Sequence, residues 1–121
     1  MLPLTSTDSV RIISLNRNDL LARLREIAAH LKEKHPEVAE VRLFGSLARG
    51  DHTGISDADV LILLDHATES DPVRRVLTYL PEFELDRGVD PLVYTREELE
   101  RLLSEGNLFL KKALKENILL G

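Results

Sequence analysis

The chain has 121 residues, 43% of them hydrophobic and 31% charged, with 16 Lys plus Arg against 21 Asp plus Glu and a formal charge of −5. That length suits one domain with one core, and the acidic balance argues against tight binding to nucleic-acid phosphates, which calls for a basic surface. There is no cysteine, which excludes disulfides, zinc–thiolate centres and thiol catalysis.

Residues 1–17 read as an N-terminal arm, in which Val10, Ile12 and Ile13 form either a short strand or a packed segment. The start lacks a basic segment followed by a long apolar run, so no signal peptide is expected, and no apolar stretch approaches membrane-spanning length. A cytoplasmic protein is the default expectation. The single domain is expected over 1–121, with its core from about residue 18.

Asn16 or Asn18 caps a helix. Leu20, Leu21, Leu24, Ile27, Ala28 and Leu31 then recur at helical spacing, and Pro36 marks the end. Val38, Val41 and Leu43 form a strand that runs into Gly45–Ser46, where a short helix opens over Ser46–Arg49. A loop over 50–56 leads to Asp57–Leu64, a nearly unbroken apolar run headed by two aspartates, as in a central strand buried on both faces.

Asp71 and Pro72 open a helix over 71–80. Gly88 precedes a third strand, Val89–Tyr94. Thr95 caps the next helix, with Glu98 completing a capping box. Gly106 or Asn107 breaks it, and a final helix is expected over Leu108–Leu120. This order predicts an α/β (α+β) domain with a small mixed sheet of three or four strands packed with helices.

The chemistry is concentrated in residues 43–60. Gly45–Ser46 stands where a strand hands over to a helix, a place where exposed backbone N–H groups bind phosphate, and a glycine lets the phosphate approach. Alone, it reads equally as a helix cap. Arg49 lies three residues on, on the same helix face as Ser46, and can pair with phosphate or simply be solvated. Asp57 and Asp59 flank Ala58 and so point to one side of a strand. Two adjacent carboxylates repel unless a cation lies between them, and Mg²⁺, which prefers oxygen ligands and shares them with phosphates, suits the place. Asp90 either completes a cluster of three carboxylates or is a turn residue after Gly88. Pro91, beside it, suits an edge strand or a bulge.

Together these residues resemble the polymerase-β-type nucleotidyltransferases. The likeness rests on Phe44-Gly45-Ser46, Asp57-Ala58-Asp59-Val60 and the later Asp90; Arg49 and Ser56 complete the finer spacing. That finer spacing looks like the minimal nucleotidyltransferase (MNT) antitoxins that pair with HEPN toxins. The resemblance covers about residues 18–121. It implies transfer of AMP from ATP, with two Mg²⁺ ions held by Asp57, Asp59 and Asp90, and Asp90 beside the nucleophile. Gly45, Ser46, Arg49 and Ser56 would bind the nucleotide. It also implies a tyrosine of a HEPN-type toxin as acceptor and a hetero-oligomer with it; the acidic charge and the lack of a long apolar run already argue against a direct nucleic-acid or membrane partner.

Two other readings are a small-molecule nucleotidyltransferase that gains its acceptor site by oligomerising, and an antitoxin acting by contact alone. The Gly-x-Gly-x-x-Gly spacing of a dinucleotide-binding unit is absent. The final helix carries more apolar surface than one buried face needs. It reads either as a partner site or as a helix packed across the sheet with frayed ends. His30, His35, His52 and His66 lack metal-ligand spacing, and Asp65, Asp86, Glu97, Glu98 and Glu100 read as solvated.

Overall fold

In a computed structural model of the chain, residues 16–50, 57–85 and 87–121 are described. Asn16 accepts a hydrogen bond from the Asp19 N–H at 2.9 Å and so opens α1 (Arg17–Lys34), whose buried stripe is the expected set from Leu20 to Leu31. The helix stops at His35, one residue before Pro36. Then come β1 (Val38–Phe44), the short α2 (Gly45–Arg49), β2 (Ala58–Leu64), α3 (Pro72–Tyr79), a 3₁₀ turn over Leu80–Glu82, β3 (Val89–Thr95), α4 (Arg96–Ser104), α5 (Leu108–Lys115) and β4 (Ile118–Leu119). No described helix is long and apolar enough to cross a membrane.

The four strands form one mixed sheet in the order β3-β2-β1-β4. β2 runs antiparallel to β1 and parallel to β3, and β4 pairs antiparallel to β1. The apolar run of β2 is explained by its central place. Its even-numbered residues, Val60, Ile62 and Leu64, join Val41, Leu43 and Val93 in a core with α1, Tyr79 and Phe83. Its odd-numbered residues, Leu61 and Leu63, join Phe44, Leu99, Leu110 and Ala113 in a second core under α4 and α5. Each fully buried aliphatic side chain stabilises the fold by about 2 kcal/mol, so both faces hold the strand in register.

Two expectations need correction. The chain is not helical from Leu108 to Leu120: α5 ends at Lys115 and the chain turns into β4. Asn117 explains the change. Its side chain donates to the Leu114 carbonyl and accepts from Arg42 of β1, so it ends the helix and docks the next residues on the sheet. The open edge of β1 then takes the chain end, with Val41 bonding both Leu120 and Gly121 through the backbone. Glu98 is not simply solvated either. Both its carboxylate oxygens accept from Arg75, at 2.6 and 3.0 Å, and Arg75 is only 4% exposed.

Pro91 stands in β3, an edge strand of the sheet, where its missing N–H is tolerated. The segments expected over 1–15 and 51–56, with His52 and Ser56, lie outside the described residues, as does Asp86.

Candidate active site

Sheet register brings the aspartates together. Asp59 in β2 and Asp90 in β3 are direct partners in the parallel pair, so their side chains project from the same face. Asp57 stands just before β2, two residues ahead of Asp59. Further along, this face is roofed by α4 and α5 over Leu61, Leu63 and Leu92. The aspartates therefore mark the open end of a half-covered surface: Asp57 and Asp90 are exposed and Asp59 is half-buried.

Two glycines make room for these carboxylates. Gly45 adopts φ +75°, and a Cβ there would overlap the Asp59 carboxylate. A Cβ on Gly88 would come within 2.7 Å of Asp57 Oδ1. The Gly88 carbonyl also accepts from the Ala58 N–H at 2.9 Å, which ties the start of β3 to the start of β2 between the two aspartates.

A cleft of ≈ 300 Å³ opens over Asp59 and Asp90, with Gly45 and Arg49 on its rim and Phe44, Leu92, Phe109, Lys112, Ala113 and Glu116 completing the lining. Burial pushes the Asp59 carboxyl above its ordinary value, and the negative charges of Asp90 and then Asp57 push it further, while Arg49 pulls it back. The three acids thus share one electrostatic field with Arg49. They do not form a closed ligand set as they stand, because among the described residues no group of three His, Cys, Asp or Glu side chains is arranged to hold a metal ion.

Residues 24–120 match the sequence profile of the nucleotidyltransferase domain. The chain belongs to that family. The expected resemblance to polymerase-β-type nucleotidyltransferases is borne out, and so is the α/β fold with its small mixed sheet. Among solved structures, this nucleotidyltransferase domain is similar to a candidate nucleotidyltransferase from Sulfolobus solfataricus, at 25% identity and a TM-score of 0.57, over 92% of this chain and 80% of that one. It also shares its fold with a chain of a toxin–antitoxin structure containing AMP-PNP, at 15% identity and a TM-score of 0.50, over 80% of this chain and 72% of the other. No curated protein matches the sequence significantly.

Of the residues singled out in the sequence, the nucleotidyltransferase domain gathers Gly45, Arg49, Asp59 and Asp90 around one cleft, with Asp57 beside them. Ser46 is half-buried and not part of the cleft lining; its carbonyl accepts from the Gly50 N–H and closes α2. Residues the motif did not point to are Gly88, Phe109, Lys112 and Glu116. The last three lie on or just after α5, far along the chain from the Gly45–Asp59 segment, and no local spacing ties them to it. Arg17 was also missed: it donates to the Leu47 and Ala48 carbonyls at 3.0 and 2.9 Å and fixes α2 against α1.

The fit at Gly45 has a direct consequence. Gly45→Ala is expected to lower stability by about 1–2 kcal/mol from its positive φ alone. The methyl group must also displace the Asp59 carboxylate, which adds to the loss. Thermal unfolding measures the loss, and an alanine variant as stable as wild type would show that the fit is not needed.

Proposed function

We propose that this chain is a Mg²⁺-dependent enzyme that moves AMP from ATP to a hydroxyl group, most specifically a tyrosine of a partner HEPN-type toxin, and so acts in the cytoplasm as an antitoxin. The observation that carries the reading is the pairing of Asp59 with Asp90, beside Asp57, at a cleft rimmed by Gly45 and Arg49. The donor set suits Mg²⁺. All its atoms are carboxylate oxygens, and the burial that chiefly raises Asp59, together with the repulsion from Asp90 and Asp57, is the kind of cost a divalent cation offsets.

Asp57 and Asp59 would hold the cations, and Asp90 the cation nearest the acceptor. When bound, Mg²⁺ supplies positive charge to the phosphates and lowers the pKa of an acceptor hydroxyl. Arg49 would offset charge on the outer phosphates, and Gly45 would let them approach the backbone. The acceptor oxygen forms a bond to the α-phosphorus as the bond to the bridging oxygen breaks. Pyrophosphate leaves, and the hydroxyl proton passes to the Asp90 carboxylate and on to solvent. No protein nucleophile is required, and orientation of the reactants supplies much of the rate.

A protein acceptor is favoured by the surface next to Asp90. Asp90 and Leu92 also line a second, largely apolar groove of ≈ 370 Å³ between α3 and β3, where Val73 and Leu77 are 76% and 75% exposed. An apolar groove that runs up to the acceptor-side carboxylate suits a polypeptide carrying a hydroxyl better than a polar small molecule. The toxin–antitoxin structure that shares this fold is consistent with that reading.

The test is transfer of label from α-labelled ATP with Mg²⁺ onto the protein encoded beside this gene, with Asp57→Ala, Asp59→Ala as control. Label that disappears in the control supports the reading. Label that appears only on aminoglycosides or other polyols would replace the protein acceptor with a small molecule, and toxin suppression by the double variant would replace catalysis with contact. Leu77→Asp is expected to lower labelling of the partner about tenfold while Mg-ATP binding stays unchanged.

A further inference from the structure

The lining of the cleft is of two kinds, and the phosphate and metal chemistry above uses only the part that carries the motif residues. Gly45, Arg49, Asp59 and Asp90 are the motif part, and Lys112 and Glu116 add one charge of each sign from α5 and the residue after it. Phe44, Phe109 and Ala113 supply an apolar wall, and Lys112 lies three residues along the helix from Phe109, on the same side. Phe44 is buried, and its ring meets that of Phe109 edge-on, with centroids 6.0 Å apart and planes at 86°. That contact fixes the direction of the Phe109 ring, yet 61% of the residue remains exposed. An oriented aromatic ring left open to a cleft is costly in water, and the cost is removed when a flat apolar ligand covers it.

We propose that Phe109 is the base-stacking wall of the nucleotide site. This rests on the reading of the cleft as a nucleoside triphosphate site. A nucleoside triphosphate joins a flat π-surface to a charged chain, and the cleft offers an aromatic ring and charged groups in one lining. Every base has a π-face, so stacking on Phe109 adds affinity for nucleosides as a class. It also sets the distance between the base and the aspartates, because α5 is anchored through Leu110 and Ala113 to the core beneath the sheet.

Base binding and phosphate binding are then separable, and the test uses both. Mg-ATP and Mg-tripolyphosphate are titrated into the full-length wild type, Phe109→Ala and Phe109→Trp. The chain contains no tryptophan, so Phe109→Trp introduces a single tryptophan at the proposed wall, which can be excited apart from the two tyrosines. Phe109→Ala should bind Mg-ATP roughly tenfold more weakly and Mg-tripolyphosphate unchanged, as expected for loss of one stacked base. Phe109→Trp should retain Mg-ATP affinity, and its fluorescence should be quenched by Mg-ATP but not by Mg-tripolyphosphate. Unchanged ATP affinity in Phe109→Ala overturns the inference and leaves the functional reading standing. Equal weakening of both ligands also overturns it and reduces Phe109 to a support for the cleft. A wild type that binds neither ligand overturns both readings.

Discussion

Asp59→Asn should lower nucleotidyl transfer by about 10³-fold and at the same time raise the thermal midpoint of the metal-free protein at neutral pH. Asparagine keeps the shape of the side chain and loses its charge. The loss of activity is expected because Asp59 is the member of the acidic set that faces both other carboxylates and lies against Gly45. The gain in stability comes from the same surroundings. Burial, Asp90 and Asp57 raise the Asp59 carboxyl above its ordinary 3.8. A raised folded-state pKa means that the folded chain holds this proton more tightly than the unfolded chain does. The stability this provides is fully present below pH 3.8 and is lost as pH rises through the folded-state value, so the charged form weighs against folding at pH 7.

Asparagine removes that penalty at pH 7 and changes little below pH 3.8. Mg-ATP should raise the wild-type midpoint and have much less effect on the variant. Thermal melts at both pH values, with and without Mg-ATP, read all of these. Transfer at near wild-type rate would remove Asp59 from the mechanism. A lower midpoint at pH 7 in the metal-free variant would remove the electrostatic account.

What could be read from the sequence was whatever local pattern determines. The stripe from Leu20 to Leu31, the cap at Asn16 and the Thr95–Glu98 capping box are interactions within a few residues, and they appear as expected. The run after Asp59 signalled a central strand because only burial on both faces favours an unbroken apolar segment. The Gly45, Arg49, Asp57 and Asp59 spacing was legible because one short stretch of chain, from α2 to the start of β2, carries all four.

Contacts between distant segments were not legible. Asp90 became a partner of Asp59 only through β3 pairing parallel to β2, and a turn residue has the same local sequence. Ile118 and Leu119 continue the apolar pattern of α5, so helix and strand looked alike there. What decided the matter was the unpaired edge of β1 and the Asn117 bonds to Arg42 and Leu114, which lie outside any local window. Phe109 looked like surplus apolar surface until the fold placed it in the cleft.

Glu98 illustrates the same limit and carries the largest expected loss of stability. Its place in the capping box was legible, with the Thr95 N–H donating to Glu98 Oε1 at 2.9 Å and the Glu98 N–H donating to Thr95 Oγ1 at 3.1 Å. Its second duty was not: it neutralises Arg75, which reaches from α3 and also donates to the Glu69 carbonyl at 2.7 Å. Glu98→Ala leaves a buried guanidinium without its carboxylate, and breaking such a pair costs about 3 kcal/mol. In a domain of this size that is roughly a 10 °C fall in thermal midpoint.

The Arg75 hydrogen bond is the main reason the Glu98 carboxyl falls from 4.5 to about 2. A depressed folded-state pKa contributes stability that is present above pH 4.5 and is lost as pH falls towards 2. Glu98→Gln should therefore be destabilised at pH 7 and should lack that part of the acid dependence. Arg75→Met, Glu98→Met should recover much of the loss, because an apolar pair leaves no charge unpaired. The pair joins α3 to α4 at β3, the strand that bears Asp90. Transfer by folded Glu98→Ala should therefore fall as well, by up to about 10²-fold, as Asp90 loses its alignment with Asp59. If that variant unfolds early yet transfers at the wild-type rate below its midpoint, then β3 keeps its register without the pair, and the contribution of Arg75 and Glu98 is to stability alone.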